Sequence, residues 1–217
     1  MTLVCHPGRR SAHGYLAPYH QDMTQDVPSA LESPEFAAFA TLAKGRRTNL
    51  RIDTNMPVDP LIITELCVLA TWAPNHRLTE PWRFAVLTGD TRAELGARTA
   101  AYQVELGETV EARLTKTRGK YMRSPVVLAV GCAFDEDPEV HMENRDAVSA
   151  GIQNLMLGAT AIGLASYWGS GLVNHAPAVK ELCGLAMQDE LLGVIYLGWP
   201  TSMMASPGRS APIIRWL

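Results

Sequence analysis

Trp72-Ala73-Pro74-Asn75-His76-Arg77-Leu78-Thr79-Glu80-Pro81-Trp82-Arg83-Phe84 is the stretch on which the reading of this chain turns. A helical apolar pattern ends at its first residue, and an extended pattern begins near its last. Pro74 and Pro81 cannot continue a helix, and the residue before each is biased toward extended backbone. The polar side chains of Asn75, His76 and Thr79 are therefore confined to a short loop. Such a loop is either a plain helix-to-strand connection or a place where a rigid frame presents polar groups to a ligand.

Upstream, Asp59-Pro60 opens a helix, with Asp as N-cap and Pro in the first position. Leu61, Ile62, Leu66, Leu69 and Ala70 carry it to Trp72. Ser33-Pro34 opens an earlier helix in the same way. Phe36, Phe39, Ala40, Leu42 and Ala43 form its apolar face, and Gly45 closes it. Arg46-Arg47-Thr48 follows at once. Two guanidinium groups and a hydroxyl at a helix exit suit an anion, because guanidinium binds phosphate bidentately. The same charges also suit a solvated helix end favoured by the dipole. Residues 1–33 show no period and read as an irregular tail ahead of one domain, residues 34–217. His6, His13 and His20 recur every seven residues in that tail, a weak signal for a metal.

Downstream, Trp82 to Thr88 reads as a strand stopped by Gly89-Asp90. Residues 91 to 121 are helical and charged, with Gly96, Gly107 and Gly119 as weak points. Val126 to Phe134 is a continuous apolar strand. Residues 139 to 163 are helical. Val148, Ile152, Leu155, Met156, Ala159 and Ile162 cover more than one face of that helix, which places it in a large core or between subunits. A short strand from Leu164 runs through Trp168 into Gly169-Ser170-Gly171, where bare backbone can approach a ligand. A short helix over 175–183, a buried strand from Leu191 to Leu197 and an extended arm complete the chain.

The 217 residues are 47% hydrophobic and 19% charged, with a net charge of −3 and no long run of one sign. That balance argues against nucleic acid or an acidic membrane as partner. No apolar run reaches the roughly 18 residues of a membrane helix, and the N-terminus lacks a signal-peptide core. Cys5, Cys67, Cys132 and Cys183 are far apart, without CxxC or zinc spacing, which suits free thiols in a reducing cytosol. There is no GxGxxG, no GxxxxGK[ST], and no Gly two residues before Ser170, so the dinucleotide fingerprint, the P-loop and the nucleophile elbow lack support. An Arg-Arg-Thr anion site, a Pro-bounded polar loop and a Gly-Ser-Gly turn remain. Together they suit one large, flat, phosphorylated ligand, which spacing alone does not name.

Taken in order, these pieces resemble the nitroreductase family. Arg46-Arg47-Thr48 is similar to the RRS segment after that family's first helix. Met56-Pro57-Val58 resembles the P-V stretch before its second. Ala73-Pro74-Asn75-His76 with Glu80-Pro81-Trp82-Arg83-Phe84 resembles the A-P-[SD]-x…Q-P-W-x-F signature, and the His brings it near the small bacterial NAD(P)H nitroreductase branch with an APDH-type loop. Gly163-Leu164…Trp168-Gly169-Ser170-Gly171 and Val194-Ile195-Tyr196-Leu197-Gly198-Trp199-Pro200 complete a match over about residues 35 to 200.

The resemblance implies an α+β fold with a central, mainly antiparallel sheet flanked by helices. It implies an intertwined cytoplasmic homodimer with FMN at the subunit interface, the long helix as dimer core and the C-terminal arm embracing the partner. Carried over by position, Arg46, Arg47 and Thr48 hold the FMN phosphate and ribityl chain and His76 lies on the flavin, while Trp72 stands where the branch carries an Arg that reaches the partner's FMN and replaces that anchor by stacking. Trp168, Gly169 and Ser170 pack along the isoalloxazine edge. NADH or NADPH is the implied electron donor, and a nitroaromatic, quinone or enone the implied oxidant. No residue is singled out as catalytic, since the cofactor carries the chemistry. Trp72, Glu80 and Leu50 depart from the family pattern, which keeps open a flavin-sensing or storage protein with little turnover. Other flavin chemistry, such as dehalogenation or flavin fragmentation, also stays open, because one fold hosts several reactions.

Overall fold

The structure, a computed structural model, describes residues 30–217. Most of the expected tail, with His6, His13, His20 and Cys5, lies outside the described residues. The chain divides between Thr41 and Leu42 into two units, and this division falls inside the first helix, α1 (Pro34–Gly45). Ser33 caps α1, its hydroxyl accepting from the Phe36 amide at 3.2 Å. No residue of α1 is buried, so its expected apolar face is left open.

The larger unit is built on four antiparallel strands in the order β1-β2-β4-β3: β1 (Trp82–Leu87), β2 (Val126–Cys132), β3 (Ala165–Gly169) and β4 (Glu190–Gly198). The alternation along β2 sorts the core into two halves. Val126, Leu128, Val130 and Cys132 face α2 (Pro60–Thr71) and α5 (Pro138–Ala161). Val127 and Ala129 face the side that carries α3 (Thr91–Glu105) and α6 (Pro177–Leu182). A sheet covered on both faces explains why β2 reads as one unbroken apolar run. The sequence extends this strand to Phe134, but the ladder stops at Cys132, after which the Ala133 amide turns to the Pro81 carbonyl.

β4 breaks the alternation. Leu191 and Val194 face one half of the core and Leu192 and Ile195 the other, which requires one extra residue between them. The pairing with β2 slips at that point, from Val130 opposite Gly193 to Gly131 opposite Leu191. This is a β-bulge, a device that re-aims backbone groups beside functional sites.

Helix α5 buries Val140, Asn144, Ala147, Val148, Gly151, Ile152, Leu155, Met156 and Ala159, one broad stripe at helical spacing. Its partner α2 buries Ile63, Leu66 and Ala70, and leaves Leu61, Val68, Leu69 and Trp72 exposed. The sequence marks Leu61, Ile62, Leu66, Leu69 and Ala70 as the apolar residues of this helix without assigning them a face. α2 is apolar nearly all round, so composition does not reveal which side meets the sheet. The two helices touch at Gly151, where a Cβ would stand 2.6 Å from the Ala70 carbonyl oxygen. Gly96, a weak point by sequence, is a packing position as well. A Cβ there would run into the Arg118 carbonyl of α4 (Glu111–Gly119).

Candidate functional site

The exit of α1 is drawn along the free edge of β3. Thr48 bridges Ser166 in parallel, and the Asn49 amide donates to the Ser166 carbonyl at 3.0 Å. Buried Asn49 then works as a knot. Its side-chain amide donates to the Ser202 carbonyl at 2.9 Å, and its oxygen accepts from the Arg51 amide at 2.8 Å. Beyond it Ile52 bridges Pro200, with the Asp53 amide on the Trp199 carbonyl and the Thr201 amide on the Arg51 carbonyl, both at 2.8 Å. The segment that carries Arg46, Arg47 and Thr48 is thereby fixed to the sheet rather than left as a loose helix exit.

Two adjoining cavities open around Arg46. One, of about 480 Å³, is lined by Ala43, Lys44, Arg46 and Arg47 on one side and by Ser206 to Arg209 of the C-terminal arm on the other. Four cations and no carboxylate line it. Arg47 is partly committed within it, donating to the Lys44 and Arg46 carbonyls at 2.6 and 2.7 Å in the manner of a cation at a helix C-terminus. Its Nε is buried without a partner, the kind of orphan that a ligand oxygen relieves. The other cavity, of about 440 Å³, is lined by Arg46, Thr48, Met156, Trp168, Ser170 and Leu192. Its lining combines an indole, two apolar side chains, two hydroxyls and a guanidinium.

The bulge in β4 sets the Trp168 ring. Its Nε1 donates to the Leu192 carbonyl at 3.3 Å, an oxygen that also accepts from Asn174 Nδ2 at 3.1 Å. The ring passes over Gly193, where φ is +155° and a Cβ would collide with Trp168 Nε1 and stand 2.6 Å from the Gly169 carbonyl oxygen. Gly169 faces the opposite way. A Cβ there would meet the Tyr167 and Tyr196 rings at 3.0 and 3.2 Å, so it serves the packing of the core.

The loop that follows α2 lies elsewhere on the chain. Asn75 binds it to itself, donating to Thr79 Oγ1 at 3.0 Å and accepting from the Glu80 amide at 2.9 Å. Thr79 donates to buried Asn144 of α5, and His76 Nδ1 meets Glu143 Oε2 at 2.9 Å. Arg77, Leu78 and Glu80 have φ of 64°, 52° and 50°, left-handed values that cost about 1 to 3 kcal/mol at a non-glycine residue. A cavity of about 500 Å³ between the loop and β1 is lined by residues including Asn75, Glu80, Trp82 and Arg83. Trp72 stands almost free at the end of α2, 80% exposed.

A family model, described as the nitroreductase family, matches residues 43–199, which take in the Arg46 segment, the loop, Trp168 and β4. The chain belongs to the nitroreductase family. YfhC of Bacillus subtilis, named as an NAD(P)H nitroreductase, is 28% identical over 176 residues, which are 80% of this chain and 90% of YfhC. Among solved structures, a nitroreductase-like family protein from Bacillus cereus has a TM-score of 0.70 at 26% identity, over 82% of this chain and 96% of that one. The FMN- and NADPH-dependent nitroreductase NfnB from Sphigopyxis sp. strain HMH has a TM-score of 0.66 at 20% identity, over 82% of this chain and 98% of its own, and shares the fold.

Against this nitroreductase frame, the residues singled out in the sequence fall into two groups. Arg46, Thr48, Trp168 and Ser170 share one cavity, and Arg47 lines its neighbour. Trp72, His76 and Gly169 line neither. Leu50 is part-buried against the core, and Arg51 reaches Ser202 Oγ at 3.3 Å. Lys44, Arg209, Met156 and Leu192 were not singled out. Arg209 had one signal, a cation directly after Pro207-Gly208 in an arm that otherwise reads as featureless. Leu192 had only an indirect signal, the isolated Gly193 beside it in an apolar strand, which marks a bulge.

Proposed function

We propose that residues 34–217 form one FMN-binding domain of an NAD(P)H-dependent oxidoreductase that reduces nitroaromatic, quinone or enone acceptors. One observation carries this reading: Arg46 lines both a four-cation cavity and a cavity walled by an indole. A ligand that fills both has an anionic end and a flat end, as FMN does. The residues fit the group. The orphaned Arg47 Nε and the guanidinium of Arg209 suit a phosphate, and the Trp168 face suits a fused ring.

When bound, FMN supplies the hydride chemistry, with electrons from NADH or NADPH passed to the acceptor in ping-pong order. The chain's own residues bind, orient and exclude water. Arg46, Arg47 and Arg209 neutralise the phosphate, with Lys44 adding to the field. The Thr48 and Ser170 hydroxyls donate along the ligand. Trp168, locked by Leu192 and Gly193, sets the plane of the ring, and Met156 and Leu192 keep solvent from its edge. The cavity lining holds no carboxylate, histidine or lysine, so protons reach the acceptor from solvent or from groups outside it.

The reading includes a homodimer in the cytoplasm. Leu61, Val68, Leu69 and Trp72 expose one side of α2, and Ile213 and Trp216 of the arm are more than nine-tenths exposed. Apolar surface of that extent suits cover by a second copy, which would bring the Trp72 and His76 groups to a flavin. The three described cysteines are unpaired, as a reducing compartment favours. Among the described residues no helix is long and apolar enough to cross a membrane.

The test is flavin binding by the purified protein, followed by the Arg46→Ala/Arg47→Ala double variant. The double variant is expected to bind FMN about 2 to 4 kcal/mol more weakly, taking each charge-assisted bond as about 1.5 to 3 kcal/mol without full additivity. Equal affinity in the two proteins removes the phosphate assignment. Turnover of NADH or NADPH with a quinone above the free-FMN background separates an oxidoreductase from a flavin store, the reading that the Trp72, Glu80 and Leu50 departures favour.

A further inference from the structure

Glu143 sits in the second turn of α5, on the helix that runs behind the loop after α2. Its Oε2 takes the His76 Nδ1 contact at 2.9 Å and lies 3.6 Å from Arg77 Nε. The next residue, buried Asn144, takes the Thr79 hydroxyl. Two successive positions of one rigid helix therefore hold both ends of the segment from His76 to Thr79. Between them lie Arg77 and Leu78, both left-handed, with Glu80 just beyond. Non-glycine residues keep such values only where their surroundings over-determine them.

We propose that Glu143 is a positioning residue for His76, acting on the bound ligand only through that ring. The proposal rests on the flavin reading above, and the flavin it concerns is that of a second copy, since His76 lines neither cavity around Arg46 of its own chain. In the neutral ring, a carboxylate opposite Nδ1 selects the tautomer with the proton on Nδ1. The bare Nε2 is then turned outward as a hydrogen-bond acceptor, on a side chain that is 66% exposed. The donors it suits are the N–H and O–H groups of a flavin, at the imide or along the ribityl chain. Outer partners of this kind fix ring orientation around metal-bound histidines by the same physics. A carboxylate that merely fastened Arg77 would leave the His76 tautomer free.

Two measurements test this. In the apoprotein, long-range proton–nitrogen NMR, with the His76 signal assigned by its loss in H76A, reports which ring nitrogen carries the proton. The proton is expected on Nδ1 in the wild type and on Nε2 in E143A. Fluorescence titration with FMN then compares wild type, E143A, H76A and E143A/H76A. Each single variant is expected to bind about tenfold more weakly, the loss of roughly one hydrogen bond, and the double variant no more weakly than H76A. E143Q, whose amide oxygen still accepts from Nδ1–H, is expected to recover binding to within about threefold of wild type on the same argument. If E143A fails to fold, E143L, which keeps the bulk and cannot accept, takes its place. An unchanged tautomer, or losses that add in the double variant, overturns the proposal. The NMR arm needs no flavin, so a wild-type protein that takes up no FMN defeats the flavin reading and leaves the tautomer result to decide the Glu143–His76 pair.

Discussion

Replacing Gly193 by alanine tests the logic of the Trp168 cavity with the smallest possible change. The added methyl group would collide with Trp168 Nε1 and stand 2.6 Å from the Gly169 carbonyl oxygen, at a φ of +155°. The backbone conformation costs a side-chain-bearing residue about 1 to 3 kcal/mol. Overpacking adds about 1 to 3 kcal/mol. Moving the indole aside gives up its bond to the Leu192 carbonyl, worth about 1 kcal/mol. These terms overlap, because shifting the ring relieves the collision, and a net loss of about 3 kcal/mol is expected. With a urea slope of about 3 kcal/mol/M, the midpoint falls by about 1 M. The assay is urea unfolding of the apoprotein at one fixed concentration, followed by circular dichroism, with indole emission read in parallel. Gly45→Ala is the control, since nothing lies within 4 Å of a Cβ there, and it should shift the midpoint little or slightly upward. A G193A midpoint within about 0.2 M of wild type would refute the argument that the bulge exists to seat Trp168.

Gly151→Ala acts at a different contact, pressing a methyl group against the Ala70 carbonyl oxygen at 2.6 Å and Trp82 Nε1 at 2.7 Å. It should separate α2 from α5 and lower stability by about 1 to 3 kcal/mol, read as a lower urea midpoint at unchanged slope. Burial pushes the Cys67, Cys132 and Cys183 thiols up to about 11. With Cys5 replaced by serine, they should react with a disulfide reagent at pH 8 only slowly, and fully after unfolding. The folded protein holds those protons more tightly than the unfolded chain. Their contribution to stability is therefore complete below the ordinary thiol value of 9.0 and is lost as pH rises toward about 11, which unfolding midpoints between those values will show.

The elements were legible in the sequence because their ends carry chemistry. Asp59 accepts from the Leu61 amide at 2.8 Å and Pro60 opens α2, as the pair predicts. The Pro-bounded loop is a loop, and the three regular pieces after residue 160 begin and end within a few residues of their expected limits. Faces were harder to read. In α2 leucine, isoleucine and valine occur on every side, so the exposed stripe of Leu61, Val68 and Leu69 has no mark of its own. The expected site residues split because spacing along a chain says nothing about which of two polar segments a given cavity gathers. Arg46 and Trp168 meet through the pairing of Thr48 with Ser166, a long-range contact that no local pattern encodes. Asn75 and Thr79 look like ligand-facing groups in the sequence, yet they spend their hydrogen bonds holding the loop in shape.

The knot at Asn49 has a kinetic side. It ties residues near 50 to residues near 200, closing a loop of about 150 residues, and contacts so distant in sequence form late in folding. Short bridges at the rim of the sheet hold it, with Ile52 in the core, so it opens at lower cost than the central strands. Amides of Asp53 and Thr201 should exchange with solvent well before those of β2 and β4. The cation-lined cavity draws on both sides of this seam, with Arg46 and Arg47 before it and Arg209 after it. On the proposed reading, an anion held there would act as a latch across this seam. Its binding energy and the closing of the seam are then a single quantity, and the protein is expected to exchange slowest at its rim when its ligand is bound.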